Sequence, residues 1–204
     1  MTTDAVRSAP ASEAQPSAVE APPRPTVVDI QLRPARVDDV GDMLDLVNGL
    51  ASSGVMLPRS PASIVENLRD FIVATVDGKF VGCGALAIIW TDLAEVRSIA
   101  VLPEYRKYGI GKQLAEKLLA IADDLGIARV MAFTYVVGFF EKLGFRVVEH
   151  SHLPHKVFND CLNCPKFHKC DEIAVLKELR PIEGQPMTGP LSLPMPGRGM
   201  PKRG

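Results

Sequence analysis

One stretch of the sequence decides the fold, LAEVRSIAVLPEYRKYGIGKQLAEKLLAIADDL, which runs from Leu93 to Leu125. Its apolar start predicts a strand over 93–101, and Pro103 followed by the basic, glycine-containing segment 106–112 predicts a tight loop. From residue 112 onward, apolar residues recur at helical spacing and predict one buried face, formed by Leu114, Leu118, Ile121 and Leu125. The backbone N–H groups at the start of such a helix attract anions, phosphates above all.

The loop does not fit the common nucleotide motifs. A P-loop would need Gly and Ser or Thr where the chain has Arg106 and Gln113, and a dinucleotide fingerprint starting at Gly109 would need Gly in place of Leu114. The pattern Arg106-x-x-Gly109-x-Gly111 after a strand instead resembles the pyrophosphate-binding loop of the GNAT superfamily of acetyl-CoA-dependent N-acyltransferases. The alternative is an ordinary turn that uses its glycines for backbone reasons alone.

The rest of the chain predicts one domain between two tails. Its 204 residues carry 23 basic and 24 acidic side chains, so nothing favours a nucleic-acid partner. The longest apolar run, 80–90, is too short to cross a bilayer, which predicts no membrane partner. Residues 1–26 and 181–204 are proline-rich and predict a disordered leader and tail around a domain over 27–180. The leader lacks the apolar segment of a secretory signal, so we expect a cytoplasmic protein, with a homodimer as a candidate assembly.

The predicted order of elements fits the same superfamily. A strand over 27–32 precedes helices that begin near Asp39 and at Ser60-Pro61, and Asp77-Gly78 predicts a hairpin that opens a three-stranded meander. After the central helix, the predicted elements are strand 129–134, helix 138–143, strand 145–149 and strand 172–179. The segment FFEKLGF at 139–145 resembles the superfamily's late helix-to-strand motif. The resemblance implies an α/β (α+β) GNAT fold with a mixed central sheet of about six or seven strands and about four flanking helices.

A closer resemblance concerns the acceptor. Several strings are most similar to single-domain amino-acid N-acetyltransferases related to N-acetylglutamate synthase, and they occupy residues 54–60, 67–71, 82–86, 90–98 and 170–174. This resemblance implies transfer of acetyl from acetyl-CoA to the α-amino group of glutamate, the first step towards arginine. A protein amine or another small amine is the alternative acceptor, and a non-catalytic acyl-CoA-binding module is the alternative function.

The cofactor is expected to lie along the strand and loop of the central stretch. The backbone N–H groups of Gly109 and Gly111 would contact the CoA phosphates, and the basic side chains around them would add charge. The pantetheine arm is expected to pair with 99–101 like an extra strand, where an N–H would also stabilise the oxyanion. The predicted cofactor-binding residues are Ile99, Ala100, Val101, Arg106, Lys107, Tyr108, Gly109, Ile110, Gly111 and Lys112.

Glu95 is the predicted base. By a period of two, Glu95, Arg97 and Ile99 share one face of the strand that leads into the loop. A glutamate at this position resembles the carboxylate that deprotonates the amine, through water, in related enzymes. The alternative is a polar strand residue that pairs with Arg97 or a lysine. Asp92 is a second candidate for the base, with a turn residue as its alternative.

Two carboxylates on glutamate require more than one cation, and arginine suits them because it binds carboxylates in bidentate geometry. Arg59 and Arg97 fall in the similar strings and are the predicted acceptor ligands. Ser98 is predicted to donate a further hydrogen bond to the acceptor and is the second catalytic candidate. Arg33 is a third candidate cation, with a surface residue at a strand end as its alternative.

The chain departs from the superfamily at one catalytic position. Many members place a tyrosine in the late helix as general acid for the CoA thiolate, and the aligned residue here is Phe140. A thiolate whose pKa is about 8.5, by analogy with cysteine, leaves without a positioned acid. Tyr135 is the alternative donor, or a packing residue.

A cysteine-rich insert lies at 150–171. Cys161, Cys164 and Cys170 form C-x2-C-x5-C, with His168 inside it, and these four residues could hold zinc in tetrahedral geometry. A redox pair and free thiols are the alternatives. The irregular second half of the pattern favours free thiols over a metal.

Overall fold

The computed structural model describes residues 28–150, 153 and 169–181, which form a seven-stranded mixed sheet with helices on both faces. The strands are β1 (Ile30–Pro34), β2 (Phe71–Val76), β3 (Lys79–Trp90), β4 (Leu93–Val101), β5 (Arg129–Thr134), β6 (Arg146–Val147) and β7 (Ile173–Glu178). The helices are α1 (Val40–Ser52), α2 (Pro61–Glu66), α3 (Ile110–Asp124) and α4 (Val137–Glu141). The strand order is β1-β2-β3-β4-β5-β7-β6, and β4 and β5 are parallel while the other neighbours are antiparallel. The predicted fold class is confirmed.

Local sequence signals account for several of these boundaries. Asp77 and Gly78 both have positive φ, 50° and 74°, as a type I′ turn between β2 and β3 requires. At the start of α2, the hydroxyl of Ser60 accepts a hydrogen bond from the N–H of Ser63 at 3.1 Å, and Pro61 takes the first helical position. The hairpin and the helix start were therefore predicted correctly.

Other boundaries differ from the prediction. β1 begins at Ile30 and runs to Pro34, and the strand predicted over 145–149 shortens to two residues. α3 begins two residues early and buries Leu114 and Leu118 completely, whereas Leu125 is 61% exposed. The prediction of Leu125 in the buried face was wrong because the helix ends at Asp124 and the chain turns away at Gly126, whose φ is +81°. The predicted leader and nearly all of the predicted tail lie outside the described residues.

The two faces of the sheet are packed differently. α3 and α4 cover one face with a single large cluster, which includes Ala94 and Val96 of β4. The other face has two clusters, one that includes Ala100 and packs under α1 and α2, and one that includes Leu93 and Met131. Glu95 therefore lies on β4 between two apolar clusters. None of the described helices is long and apolar enough to cross a membrane.

Candidate active site

The sheet opens between β4 and β5. Their parallel ladder pairs Leu93 with Arg129 and ends where Glu95 meets Met131. Beyond that rung, β4 continues beside β3 as far as Val101, and β5 continues beside β7 as far as Thr134. The two strands part at Glu95, which exposes an edge of β4 to strand-like pairing with an extended group. This is the edge, over 99–101, on which the sequence predicted the pantetheine arm.

Glu95 occupies the last shared rung of the fork. It is only 2% exposed, with Ala87 opposite on β3 and Met131 opposite on β5. A carboxylate is costly to bury unless it is paired or hydrogen-bonded. The structure thus places the predicted base at the fork between β4 and β5, and its role stays a prediction.

A β-bulge divides β4 into two halves. Ser98 has a φ of +54°, and the register with β3 shifts between Arg97, which faces Ala85, and Ala100, which faces Cys83. The extra residue reverses the alternation of side chains, so Ile99 and Val101 pack towards α3 as Ala94 and Val96 do. The prediction that Ile99 shares a face with Glu95 and Arg97 was therefore wrong. Glu95 and Arg97 keep their common face.

Substitutions at Ser98 distinguish the cost of its left-handed backbone from the role of its hydroxyl. Ser98→Gly and Ser98→Ala both remove the hydroxyl, but only glycine adopts a left-handed backbone without the roughly 1–2 kcal/mol that a Cβ costs there. Glycine also has the greater chain entropy in the unfolded state, which offsets part of this cost. We therefore expect the free energy of unfolding, measured with urea, to be about 1 kcal/mol higher for Ser98→Gly than for Ser98→Ala. If the hydroxyl binds the acceptor, both variants show the same rise in the acceptor KM. A difference between those KM values would count against the hydroxyl.

Arg97, one of the two predicted acceptor ligands, faces Asp70. Its Nη2 lies 3.7 Å from Asp70 Oδ2, and the Arg97 side chain is only 10% exposed. Burial raises the pKa of the Asp70 carboxyl, and the charge of Arg97 opposes that rise. The registered residues Phe71, Ala85 and Arg97 lie side by side on three strands, and Asp70 directly precedes the first of them. Asp70 was missed in the sequence because it lies in a short 3-10 turn without a distinctive pattern.

Arg59, the other predicted ligand, is held through its backbone. The Arg59 N–H donates to Asn48 Oδ1 at 2.9 Å, and Asn48 Nδ2 donates to the Arg59 carbonyl at 3.0 Å. The Arg59 guanidinium also donates to the hydroxyl of Ser63 at 3.4 Å. Asn48 was missed as well, although an asparagine inside a helix is unfavourable and signals a role for its side chain.

Two weaker candidates have structural roles. The Arg33 guanidinium makes two hydrogen bonds to Asp39, at 2.7 and 2.8 Å, and holds the pKa of that carboxyl below its usual value. Asp92 accepts from Arg129 through both its carboxylate and its main-chain carbonyl, and so ties the β3–β4 turn to β5. Arg33 is therefore an ion-pair residue that links β1 to the start of α1, and Asp92 is a turn residue.

The predicted phosphate loop forms a 3-10 turn over Pro103–Tyr108 that leads into α3. Gly109 has a φ of +72° and stands as the N-cap of α3, with no side chain capping the helix. The first N–H groups of α3 are therefore available to an anion. Ile110 is fully buried, so only its backbone can contact a ligand.

The basic side chains of the loop lie close to this helix start. The exposed Arg106 donates through Nε to the Val101 carbonyl at 3.4 Å. Lys107 lies 5.2 Å from the centre of the Tyr108 ring, and Lys112 lies 3.6 Å from Glu116. These contacts leave the cationic groups on the surface beside the N-terminus of α3, where they would add to the attraction for phosphate.

The two aromatic positions considered for acid catalysis differ in environment. Phe140 is 6% exposed and packs edge-on against Phe139 and Phe145, so it is a core residue. The Tyr135 hydroxyl donates to Asp171 Oδ1 at 2.7 Å and links the end of β5 to the start of β7. Tyr135 stays an alternative proton donor, with Asp171 as a residue that sequence reasoning did not find.

Little of the cysteine cluster can be placed. Cys161, Cys164 and His168 lie outside the described residues, and Cys170 is an exposed free thiol. Within the described ranges, no group of three or more His, Cys, Asp or Glu side chains could hold a metal ion. Cys83 lies in the core, where burial raises the pKa of its thiol to about 12.

Comparisons with known proteins show which family the chain belongs to. Residues 52–145 match the acetyltransferase (GNAT) family. An uncharacterized N-acetyltransferase of Chlorobaculum tepidum is 42% identical over 74% of this chain and 97% of its own. An amino-acid acetyltransferase of Mycobacterium tuberculosis is 36% identical over 63% of this chain and 75% of its own. A Mycobacterium tuberculosis protein solved in complex with CoA and NLQ superposes with a TM-score of 0.65 at 29% identity, covering 74% of this chain and 99% of its own. The chain therefore belongs to the acetyltransferase (GNAT) family and is an acetyl-CoA-dependent N-acetyltransferase.

Proposed function

We propose that the chain acetylates the α-amino group of a free amino acid, L-glutamate, as the first step towards arginine, with Glu95 as the base. The observation that carries the proposal is the buried Glu95 at the β4–β5 fork, two residues before Arg97 on the same face. A carboxylate beside a guanidinium is complementary to an ammonium beside a carboxylate, which is the common feature of amino acids. The relative from Mycobacterium tuberculosis named amino-acid acetyltransferase supports this choice of acceptor.

In the proposed reaction, the protein positions the two substrates and supplies one proton acceptor. Glu95 takes the ammonium proton, through a water molecule, and leaves a neutral amine. The amine nitrogen bonds to the thioester carbonyl carbon and then loses its second proton to solvent, the C–S bond breaks, and CoA leaves as a thiolate that takes up a proton from solvent. Backbone N–H groups beside the Ser98 bulge would stabilise the oxyanion formed on the way. The loop and the start of α3 would hold the CoA phosphates.

The acceptor is tested by CoA release from acetyl-CoA with glutamate, aspartate, glutamine and lysine, and with a peptide amine. We expect glutamate to give the highest kcat/KM and the lysine side chain and the peptide to give almost none, because their amines lack an adjacent free carboxylate. If CoA is released only with the peptide, the acceptor is a protein amine and not a free amino acid. If the chain binds acetyl-CoA tightly but releases no CoA with any of these amines, none of them is its acceptor, and the proposal is contradicted.

Among the residues that the structure describes, the groove beside the loop has no excess of acidic side chains that would favour a protein acceptor. A groove of about 850 Å³ lies between α1, the β2–β3 hairpin and the loop. Asp42 and Asp45 on its wall are balanced by Lys79 and Arg106, and Glu95 does not line it. A cationic peptide amine would need an acidic groove that leads to the base. We therefore keep the amino acid as the proposed acceptor.

A further inference from the structure

We infer that Arg97, positioned by Asp70, binds the α-carboxylate of the acceptor, and that this contact restricts the enzyme to free amino acids. The inference rests on the proposed function and assigns one of the acceptor's two carboxylates to one arginine. It also gives Asp70 a role, as the residue that positions Arg97. Neither assignment follows from the sequence pattern.

The first step is the distance between base and cation. Residues two apart on a strand are separated by about 6.6 Å along one face, and Glu95 and Arg97 share the face of the sheet towards α1 and α2. In an amino acid, the nitrogen and the α-carboxylate carbon are only about 2.5 Å apart. This short distance is the same in every side-chain rotamer, whereas the side-chain carboxylate moves with its rotamer, so we assign the α-carboxylate to Arg97, the cation that neighbours the base on the strand.

The second step is the position of Arg97 within the sheet. Its side chain is 10% exposed and its backbone is fixed by the pairing of β4 with Ala85 of β3. A guanidinium on a rigid strand loses little further freedom when it binds a carboxylate, which favours it for recognition close to the reacting amine. Arg59 lies in the α1–α2 connection and is left for the side-chain carboxylate.

The third step is the contact with Asp70. The 3.7 Å between Arg97 Nη2 and Asp70 Oδ2 is longer than the roughly 2.7–2.9 Å of a charge-assisted hydrogen bond. At this distance Asp70 attracts the guanidinium and orients it without a tight hydrogen bond. Asp70 is itself 31% exposed and comes from the 3-10 turn Leu68–Asp70, outside the sheet. It therefore acts through Arg97 and is a positioning residue.

Two isomeric acceptors test the assignment. Glutamine keeps the α-carboxylate and has an amide on its side chain, whereas isoglutamine has its amide at the α position. With wild type and saturating acetyl-CoA, we expect kcat/KM for glutamine to exceed that for isoglutamine by at least about tenfold, because the α-amide offers Arg97 no carboxylate from the acceptor. In Arg97→Gln this ratio should fall to within about threefold of unity. Arg59→Gln should lower the rate with glutamate yet keep the ratio.

Asp70→Asn tests whether Asp70 positions Arg97. We expect it to raise the glutamine KM about threefold to tenfold and to lower the glutamine-to-isoglutamine ratio only in part, while the acetyl-CoA KM stays unchanged. Asp123→Asn removes a surface ion pair with Arg180 far from β4 and serves as the matched control, with no change in either KM. Arg97→Gln removes the positive charge beside the half-buried Asp70 and could prevent folding. In that case the Asp70→Asn/Arg97→Gln double variant, which replaces both charges with neutral side chains, takes its place in the test.

The outcomes distinguish the two levels of the proposal. Equal wild-type rates with glutamine and isoglutamine, or an unchanged ratio in Arg97→Gln, would overturn the assignment of the α-carboxylate and leave amino-acid acetylation intact. An effect of Asp70→Asn on the acetyl-CoA KM alone would overturn its positioning role. No wild-type turnover of glutamate or glutamine would overturn the proposed function, and the inference with it.

Discussion

Glu95→Gln is expected to lower kcat with glutamate by about 10²–10⁴-fold, because glutamine keeps the shape of the side chain but cannot accept the ammonium proton. The acetyl-CoA KM should stay unchanged, since Glu95 lies at the end of the fork and away from the phosphate loop. The measurement is CoA release across pH. The kcat/KM of the variant should keep rising into the alkaline range, where more acceptor amine is neutral in solution, while the wild-type value levels off earlier.

Glu141→Gln is the control for this experiment. Glu141 is an exposed carboxylate at the end of α4, so its replacement should leave kcat and both KM values unchanged. A Glu95→Gln variant with a near-normal kcat would remove Glu95 as the base. It would direct attention to a water or another carboxylate near the fork.

Gly82→Ala is expected to destabilise the protein by about 2–3 kcal/mol, as overpacking of a rigid interior does. A Cβ at Gly82 would lie 2.7 Å from the main-chain oxygen of Ala100 and 3.3 Å from Val101 Cα, so the backbone of β4 would have to move. That backbone is the edge proposed for the pantetheine arm, and we therefore also expect a higher acetyl-CoA KM. Urea unfolding followed by Trp90 fluorescence measures the stability.

Gly84→Ala provides a matched comparison two residues along the same strand. A Cβ at Gly84 would meet Leu118 Cδ1 at 3.1 Å and Ile99 Cγ1 at 3.2 Å, and both are side-chain atoms that can shift. We expect a loss of about 1 kcal/mol or less and a normal acetyl-CoA KM. Equal losses in the two variants would show that the close approach at Gly82 is relieved without moving β4.

Strong local signals made most of the fold predictable. Asp77-Gly78 fixed a hairpin because few residues adopt two consecutive positive φ angles, and Ser60-Pro61 fixed a helix start because it combines a cap with a preset φ. The bulge at Ser98 had no such signal, since serine is not a residue typical of a left-handed backbone. For this reason, the assumption that side chains alternate strictly between the two faces of β4 gave the wrong face from Ile99 onward.

The candidate site was predictable where its residues share one strand and not where they come from distant segments. Glu95 and Arg97 are two residues apart, so their common face follows from geometry alone. Asp70 and Asn48 reach the two arginines from other elements, and such contacts depend on how the sheet and helices assemble. The burial of Glu95 was not predictable either, because the sequence alone does not distinguish a buried carboxylate from one on a half-exposed strand.

In the proposed complex, the bulge in β4 gives the two substrates separate surfaces on a single strand. Glu95 and Arg97, before Ser98, would present their side chains to the acceptor, and 99–101, after it, would present their backbone to the cofactor while the side chains of Ile99 and Val101 pack towards α3. Replacing Arg97 to change the amino acid that is acetylated would thus leave the contacts that hold α3 in place. Deleting one residue at the bulge would instead turn Ile99 and Val101 away from α3. Acceptor choice is therefore open to point substitution, while the length of this strand is fixed by the packing of α3.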